Sequence, residues 1–224
     1  MLEIGFSTKI VALIGNYLQQ SRQYIAYKGV TSRVFQCTSK VLQGGNLAPF
    51  FFLIYVNDIT QVVKHSRCLL FADDLKIFRE IRTTQDTEDL KADIGALEHW
   101  TTKNHLPLNV KKCKVMTFTR RREPIYAQYS IQGEQLERVH ETRDLGVIME
   151  GNLKFTKQFQ KIETMAKKTI GLIRRFSRTF RDPSTMRLLY LTLVRSHFDF
   201  ANVIWGLLGE TEIKVLESLQ KIFF

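Results

Sequence analysis

Three features of the sequence predict an α+β fold, in which an antiparallel sheet with packed helices is followed by a helical region. Two apolar runs flank adjacent carboxylates at about 67–79, which is the pattern of a β-hairpin with acids at its turn. Helix-like and strand-like segments alternate on both sides of this hairpin. From about Thr156 the pattern becomes helical, so we place a domain boundary near Gly151, between residues 1–150 and 151–224.

The segment before the hairpin is predicted to contain a helix, two strands and a second helix. Residues 5–20 show an amphipathic helical pattern. The apolar positions of this helix are Ile10, Leu13, Ile14 and Leu18. Two strands, Tyr24–Tyr27 and Arg33–Cys37, are joined by a turn at Lys28–Gly29. The apolar run from Leu47 to Val56 is far shorter than the roughly 20 residues of a membrane span, so we interpret it as a buried helix.

After the hairpin, a helix and further strands are predicted. The helix runs from Thr87 to Asn104, with its start signals in Thr83–Asp86. Its apolar positions are Leu90, Ile94, Leu97 and Trp100 with Thr101. Strands are expected at about 112–119, 126–131 and 143–149.

The last part of the chain is predicted to be helical, with one apolar and one basic face. The apolar stripe is Phe159, Ile162, Ala166, Ile170, Ile173 and Phe176. The basic positions are Lys157, Lys161, Lys167, Lys168, Arg174, Arg175 and Arg178. Asp182 and Pro183 provide the N-cap and first position of another helix. The segment Glu217–Ile222 has the pattern of a helix interior, so the chain is expected to stop within a helix.

The composition favours a globular intracellular protein with a polyanionic partner. Apolar residues make up 44% of the 224 residues, as in proteins with a packed core. The net charge of +11 favours nucleic acid through phosphate neutralisation, although acidic membranes would satisfy charge alone. No secretory leader or membrane span is recognisable, so we expect a nuclear or cytoplasmic location and no membrane partner. The widely spaced Cys37, Cys68 and Cys113 predict neither a disulfide framework nor a zinc site.

Two adjacent carboxylates, Asp73 and Asp74, are the candidate catalytic and metal-binding residues. They follow the apolar run Cys68–Ala72 and precede the run Leu75–Phe78. Like charges this close resist joint ionisation unless a cation lies beside them. Mg²⁺ binds one or two carboxylates and leaves positions for substrate phosphates, so it is a natural partner. The plain alternative is that both aspartates only cap the backbone of a turn.

The surroundings of this carboxylate pair resemble a known family. Upstream, the segment Leu42–Pro49 leads into an apolar run that ends at Asn57–Ile59. A Gln-Gly turn that opens a helix, followed by a Tyr/Phe-Ala-Asp-Asp hairpin, is similar to the motif order of reverse transcriptases. The long apolar helix that ends in Asn-Asp-Ile resembles the reverse transcriptases of LINE-type (non-LTR) retrotransposons. Leu42 stands where the family generally has proline, so the preset backbone angle is lost.

Further segments resemble the same family, in the same order, over roughly the whole chain. Leu108–Phe118 is similar to the next palm motif, with Lys112 at its usual lysine. Asp144–Val147 resembles the strand near the primer grip, while Leu189–Ser196 and Val203–Trp205 resemble the helical region that follows. The resemblance therefore implies a right-hand polymerase palm that lacks the fingers and the first catalytic strand, followed by a truncated, helical thumb.

The resemblance implies RNA-directed DNA synthesis, in which deoxynucleotides are added to a primer by two-metal phosphoryl transfer. Asp73 and Asp74 would bind Mg²⁺, of which the complete enzyme uses two ions. The template and the incoming nucleotide would be positioned by Gln43, Gly44, Gly45 and Lys112. The nucleic-acid backbone would be bound, in the thumb, by Lys167, Lys168, Arg174 and Arg175. The expected partners are an RNA template, a DNA primer or RNA–DNA hybrid, and deoxynucleotide triphosphates. The alternative for the four thumb cations is that they only solvate an exposed helix face.

One expected metal ligand is missing from the sequence. The family places an Asp on the strand before the Gln-Gly turn, whereas here no Asp precedes Asp58 and the only earlier acid is Glu3. Glu3 lies in a segment that resembles the helix after that strand, and Asp58 is expected to serve local capping. The chain alone is therefore predicted to be inactive. Two alternatives stay open: a non-catalytic, nucleic-acid-binding remnant of a decayed retroelement, and a host interaction protein that reuses the fold.

Overall fold

A computed structural model describes residues 5–19, 22–36, 45–178, 182–206 and 209–222. The described residues up to Leu108, together with Ile131–Gly133, form one compact unit, and the others from Asn109 onward form a second. This division by packing differs from the boundary near Gly151, which stays a prediction about function.

The first unit begins with a helix and two small antiparallel strand pairs. These elements are α1 (Thr8–Gln19), β1 (Arg22–Gln23), β2 (Ala26–Tyr27), β3 (Val30–Thr31) and β4 (Phe35–Gln36). Strand β1 pairs with β4, and β2 pairs with β3. The turn predicted at Lys28–Gly29 is confirmed, since both residues have positive φ, 48° and 82°, as a tight hairpin turn prefers. It joins β2 to β3, however, and not to the strand predicted at Arg33–Cys37. Cys37 lies outside the described residues.

The apolar helix α2 (Ala48–Val56) continues into a 3₁₀ helix at Asn57–Val62. Phe51 and Val56 are buried, and Phe51 packs against Tyr17 of α1 with ring centroids 5.9 Å apart. The side that carries Phe50 and Leu53 is open, because both residues are 47% exposed. Tyr55 is equally exposed, although its ring packs edge-on against Trp100 with ring centroids 6.4 Å apart. The prediction of a buried helix is therefore wrong for the open side. Uniform apolarity indicates burial in general, but only the packing partners decide which face is covered.

The carboxylate hairpin consists of β5 (Arg67–Phe71) and β6 (Asp74–Phe78), followed by helix α3 (Thr84–Lys103). The helix begins three residues before the predicted start, and Thr83 and Asp86 form a reciprocal capping box. The buried residues Val56, Ile59, Leu97 and Trp100 form the core, and the hairpin residues that pack on it are Leu70, Leu75 and Ile77. One face of the hairpin is thereby fixed on α3 and the 3₁₀ helix.

A buried carboxylate on α3 holds the segment that enters β5. Asp93 is 2% exposed and accepts hydrogen bonds from the backbone N–H groups of Lys64 at 2.8 Å and His65 at 3.0 Å. Burial by itself raises the pKa of Asp93, but these N–H groups outweigh it and hold the pKa below its ordinary value of 3.8. Asp93 therefore folds as a carboxylate and anchors the start of the hairpin.

Replacing Asp93 by Ala should destabilise the protein by about 1–3 kcal/mol, because two backbone donors lose their acceptor. Asp93→Asn keeps one acceptor oxygen and should cost less. Since the folded-state pKa of Asp93 is lowered, its stabilisation is present above pH 3.8 and is lost as the pH falls through the folded-state pKa. Urea unfolding from pH 6 down to about 2 measures both effects. Equal stability of wild type and Asp93→Ala at pH 6 would contradict this account.

The strands after Asn109 are short. They are β7 (Lys114–Met116), β8 (Ser130–Ile131), β9 (Glu134–Gln135), β10 (Glu137–Val139), β11 (Glu141–Asp144) and β12 (Val147–Glu150). Strands β7 and β10 pair in parallel, whereas β11 and β12 form an antiparallel hairpin. The single strand predicted at 143–149 is thus wrong, because Leu145 and Gly146 have positive φ, 43° and 91°, and reverse the chain.

The fold confirms the prediction of mixed helices and antiparallel pairing only in part. Each strand within the described ranges pairs with one partner, so the predicted antiparallel sheet is replaced by separate two-stranded pairs, of which β7–β10 is parallel. Of the strands predicted at 112–119 and 126–131, only short pieces carry ladder hydrogen bonds. Residues 120–123, between the two predicted strands, are charged and exposed, so no apolar face extends either strand in that direction.

The second unit ends in helices. They are α4 (Thr156–Phe176), α5 (Pro183–Leu189), a π-helical turn (Tyr190–Val194), α6 (Arg195–Asp199), α7 (Asn202–Trp205) and α8 (Glu210–Lys221). The predicted start of α4 and the Asp182 cap are confirmed, and Asp182 accepts from the Thr185 N–H at 2.9 Å. The apolar stripe of α4 is buried except for Phe176, which is 68% exposed because it lies off the stripe at 3.6 residues per turn. Among the helices of the described ranges, none combines the length and apolarity that crossing a bilayer requires.

Candidate active site

The turn of the β5–β6 hairpin carries the candidate catalytic residues, as predicted. Phe71 pairs with Asp74, so Ala72 and Asp73 form a two-residue turn and Asp74 begins β6. Ala72 has φ of +51°, in the left-handed region. For a residue with a Cβ this conformation costs on the order of 1–2 kcal/mol, and such strain concentrates at functional sites. The backbone thus holds Asp73 at the tip in one defined geometry.

Asp73 lines a cleft of about 660 Å³ against the N-terminal end of α2. The cleft residues are Gly45, Asn46, Ala48, Pro49, Phe52, Ala72 and Asp73. The structure thus brings Gly45 and Asp73, two of the predicted site residues, to one cavity. Gln43 and Gly44 lie outside the described residues. Asn46, Pro49 and Phe52 were not among the predicted site residues, although their position directly after the Gln-Gly turn could have identified them.

Asp73 and Asp74 do not lie in the same surroundings. Leu70 and Leu75 face each other across the hairpin and pack on the core. Because side chains alternate along a strand, Asp74 projects from the opposite face, beside Phe71. That face is exposed, with Phe71 62% accessible. Asp73 is consequently the carboxylate that belongs to the cleft, while Asp74 lies on the outer face at its edge.

The carboxylate oxygens of Asp73 and Asp74 are suitable ligands for one side of a magnesium ion. Both carboxylates are exposed, and neither forms a hydrogen bond or ion pair with another described residue. Hard oxygen donors without protein partners are the ligands that Mg²⁺ takes alongside water and phosphate. No group of three Asp, Glu, His or Cys side chains in the described parts of the chain is arranged to hold a metal. Asp58, on the 3₁₀ helix, is exposed and adds no third ligand to the pair.

The far end of the hairpin is fixed by an ion-pair network that the sequence analysis missed. Arg79, just after β6, lies 2.9 Å from an Asp86 carboxylate oxygen and 2.7 Å from one of Asp89. It also donates to the backbone oxygen of His65. Hydrogen bonds from Thr83, Arg82 and this arginine hold the pKa of Asp86 well below its usual value. Asp93 holds the segment before β5, and the Arg79 network holds the segment after β6. Both strands are therefore tied to α3 at the end opposite the turn, and rigid elements position the turn.

Comparison with known proteins identifies the family of this chain. Residues 3–149 match the family described as reverse transcriptase (RNA-dependent DNA polymerase). The chain belongs to the reverse transcriptase family. The resemblance inferred from its motifs is thereby confirmed.

Two curated relatives of this chain come from mobile elements of flies. The chain is 24% identical over 220 residues to a probable RNA-directed DNA polymerase from transposon X-element of Drosophila melanogaster, covering 93% of the chain and 24% of that protein. It is 22% identical over 226 residues to the RNA-directed DNA polymerase from mobile element jockey of Drosophila funebris, covering 96% of the chain and 24% of that protein. The chain thus spans about a quarter of the length of these relatives. No solved structure matches it.

The remaining predicted site residues of this chain lie in the second unit. Lys112 is exposed at the end of a short 3₁₀ turn, Val110–Lys112. On α4, Lys168, Arg174 and Arg175 are exposed and form no hydrogen bond or ion pair within the described ranges. Lys167 differs, because its ammonium lies 2.6 Å from the Glu163 carboxylate one turn earlier. Three of the four predicted backbone-binding cations are therefore available to a phosphate, and the fourth is partly neutralised.

Proposed function

We propose that this chain supplies the carboxylate hairpin and following region of an RNA-directed DNA polymerase of a non-LTR retrotransposon. The observation that supports this most is the position of Asp73, which lines a cleft with Gly45 and the first turn of α2 in a member of the reverse transcriptase family. The positive φ of Ala72 reverses the chain at the hairpin turn and so places Asp73 at its tip.

In this proposal the primer 3′ oxygen attacks the α-phosphate of an incoming deoxynucleotide beside Asp73. Bound Mg²⁺, two ions in the complete enzyme, would lower the pKa of the attacking hydroxyl and stabilise the pyrophosphate that leaves. Asp73 and Asp74 would hold it from one side. Gly45 would permit close approach of the template–nucleotide pair, with Gln43 and Gly44 beside it. Lys112 would neutralise triphosphate charge.

The partners that follow are an RNA template, a DNA primer or RNA–DNA hybrid, and deoxynucleotide triphosphates. Helix α4 would act as part of a thumb that binds the nucleic-acid backbone through Lys168, Arg174 and Arg175, with a smaller contribution from Lys167. In this arrangement residues 1–150 form the partial palm and 151–224 the thumb-like region. The net charge of +11 supports a phosphate partner.

A second candidate function is a non-catalytic, nucleic-acid-binding remnant of a retroelement. It is favoured by the donor set, because the described residues offer no third metal ligand near Asp73 and Asp74. The two functions agree on nucleic-acid binding and differ on catalysis. An assay of nucleotide incorporation therefore separates them.

The 224-residue chain alone should not extend a primer measurably. Two carboxylates from one hairpin hold a metal from one side only, so the in-line geometry of the transfer is not completed. A longer protein that also carries the upstream palm segment, from the parent element or as a chimera with the X-element polymerase, should show Mg²⁺-dependent extension. Both proteins are compared on the same RNA template with an annealed DNA primer.

The two outcomes of this comparison are distinct. Mg²⁺-dependent incorporation by the short chain would show that the ligand account is wrong and that another acid, such as Asp58, completes the site. If the longer protein binds the hybrid but never extends it, the remnant function replaces the polymerase function.

A further inference from the structure

The loop Thr117–Ala127 of the second unit carries three consecutive arginines that the proposed polymerase site does not use. Arg120, Arg121 and Arg122 are all exposed. Their side chains form no hydrogen bond or ion pair in the part of the chain that the structure describes. The one acid in this loop, Glu123, is also exposed, so the loop presents a net positive charge to solvent.

One guanidinium holds the two ends of this loop together. Arg138, on β10, donates to the Thr117 hydroxyl at 2.6 Å and to the backbone oxygen of Ala127. The N–H of Thr119 also donates to the Gly151 oxygen at 3.1 Å. A Cβ at Gly151 would lie 2.8 Å from the Thr117 oxygen, so only glycine permits this close approach. The arginines therefore project from a loop whose base is fixed by hydrogen bonds.

Two aromatic rings lie in the same loop and are open to solvent. Phe118 is 48% exposed and Tyr126 is 57% exposed. The Arg138 guanidinium lies 5.0 Å from the centroid of the Tyr126 ring, so a cation–π contact covers one face and orients the ring. Because neither ring is buried, both leave apolar surface in contact with water. A ligand that covered these rings would remove that surface from water, which is favourable.

We propose that the Thr117–Ala127 loop is a binding site for single-stranded nucleic acid. Arginines neutralise the phosphates of the strand, while exposed rings such as Tyr126 stack on unpaired bases. A duplex could satisfy the arginines but not the rings, because its bases already stack on one another. The proposal uses residues other than those of the cleft or α4, and it does not depend on polymerase activity. RNA and DNA strands share this chemistry.

The test measures binding of the full 224-residue chain by fluorescence anisotropy. The probes are labelled oligouridylate and oligothymidylate of about 20 nucleotides, longer than common single-strand sites, and an RNA–DNA hybrid of the same length. Changing Arg120, Arg121 and Arg122 together to Gln should make the single-strand salt slope less steep by about 2, at roughly 0.7 per phosphate contact. Tyr126→Leu should weaken single-strand binding roughly 5- to 150-fold, which corresponds to one stacked base, and change hybrid binding little.

A matched control removes the same charge elsewhere. Lys9, Arg22 and Arg33 are exposed cations of the first unit, and their joint change to Gln should leave the single-strand slope unaltered. Thermal unfolding of every variant checks that the fold is retained. Arg120–Arg122 make no side-chain hydrogen bond or ion pair within the described ranges, so their replacement should not lower stability.

Each outcome either supports or overturns the proposal. Loss of binding to either strand in the loop variants supports it, and the comparison of RNA with DNA identifies the preferred sugar. The proposal is overturned if the triple arginine variant keeps the wild-type slope, if the control triple lowers the slope equally, or if Tyr126→Leu weakens the hybrid as much as the single strands. Failure of hybrid binding through α4 would leave these single-strand measurements unaffected, so the two proposals can fail separately.

Discussion

Asp73→Asn should abolish Mg²⁺-dependent primer extension by the longer protein that carries the upstream palm segment. Asp73 is the one carboxylate of the described residues that lines the cleft beside the N-terminal end of α2. The amide of Asn keeps the size and the turn geometry but removes the charge that a hard cation requires. Loss of one preorganised electrostatic group typically lowers the rate on the order of 10²–10³-fold. Single-turnover extension of a labelled primer measures the effect.

Substitutions of two other aspartates, Asp74 and Asp58, should lower the extension rate less than Asp73→Asn does. Asp74→Asn should reduce the rate less, because Asp74 projects from the outer face of the hairpin and does not line the cleft. Asp58→Asn should leave the rate unchanged, since this exposed residue on the 3₁₀ helix is assigned no role in the site. A rate that survives in Asp73→Asn but falls in Asp58→Asn would move the catalytic site to Asp58.

Neutralising Lys168, Arg174 and Arg175 on α4 should flatten the salt dependence of RNA–DNA hybrid binding. Each cation that contacts a duplex phosphate contributes about 0.9 to the slope of log affinity against log salt, so three contribute about 2.7. Between about 50 and 200 mM salt this amounts to a roughly 40-fold smaller loss of affinity. Adding Lys167→Gln should change the slope less than each of the others, because Lys167 is paired with Glu163.

The control for this helix is again the triple change of Lys9, Arg22 and Arg33 to Gln, which removes equal charge from the first unit. An unaltered slope in the α4 variant would assign its cations to plain solvation of a helix face. Sequence preference is expected to be small in every variant, since phosphate contacts carry no base information.

Local sequence patterns predicted local structure well in this chain. The apolar–acid–apolar run around Asp73 and Asp74 forms a hairpin, and the Asp182–Pro183 start signal opens α5. The stripe of α4 is buried except at Phe176. Capping, turn chemistry and helical spacing involve residues a few positions apart, so they can be recognised from the sequence alone.

Errors arose at a turn and where the outcome depends on distant partners. One error is local: the sequence predicts a single strand at 143–149, whereas Leu145 and Gly146 form a turn and the chain pairs with itself as a hairpin. The exposed side of α2 could not be recognised either, since its apolar residues surround the helix and only the core formed with α3 selects the buried face. The spacing of apolar residues along α2 therefore does not indicate which face of the helix is buried.

By itself, the sequence determined the family, the carboxylate hairpin, the apolar helix before it and the basic face of α4. Only the tertiary structure decided that Asp73 rather than Asp74 lines the cleft, and that Asp93 and Arg79 hold the hairpin to α3. The tertiary structure also decided that Arg138 holds the two ends of the Thr117–Ala127 loop together. These contacts join residues that are distant in the sequence, such as Lys64 and Asp93, and a polar side chain meets such a partner only when packing of the apolar core brings the two segments together.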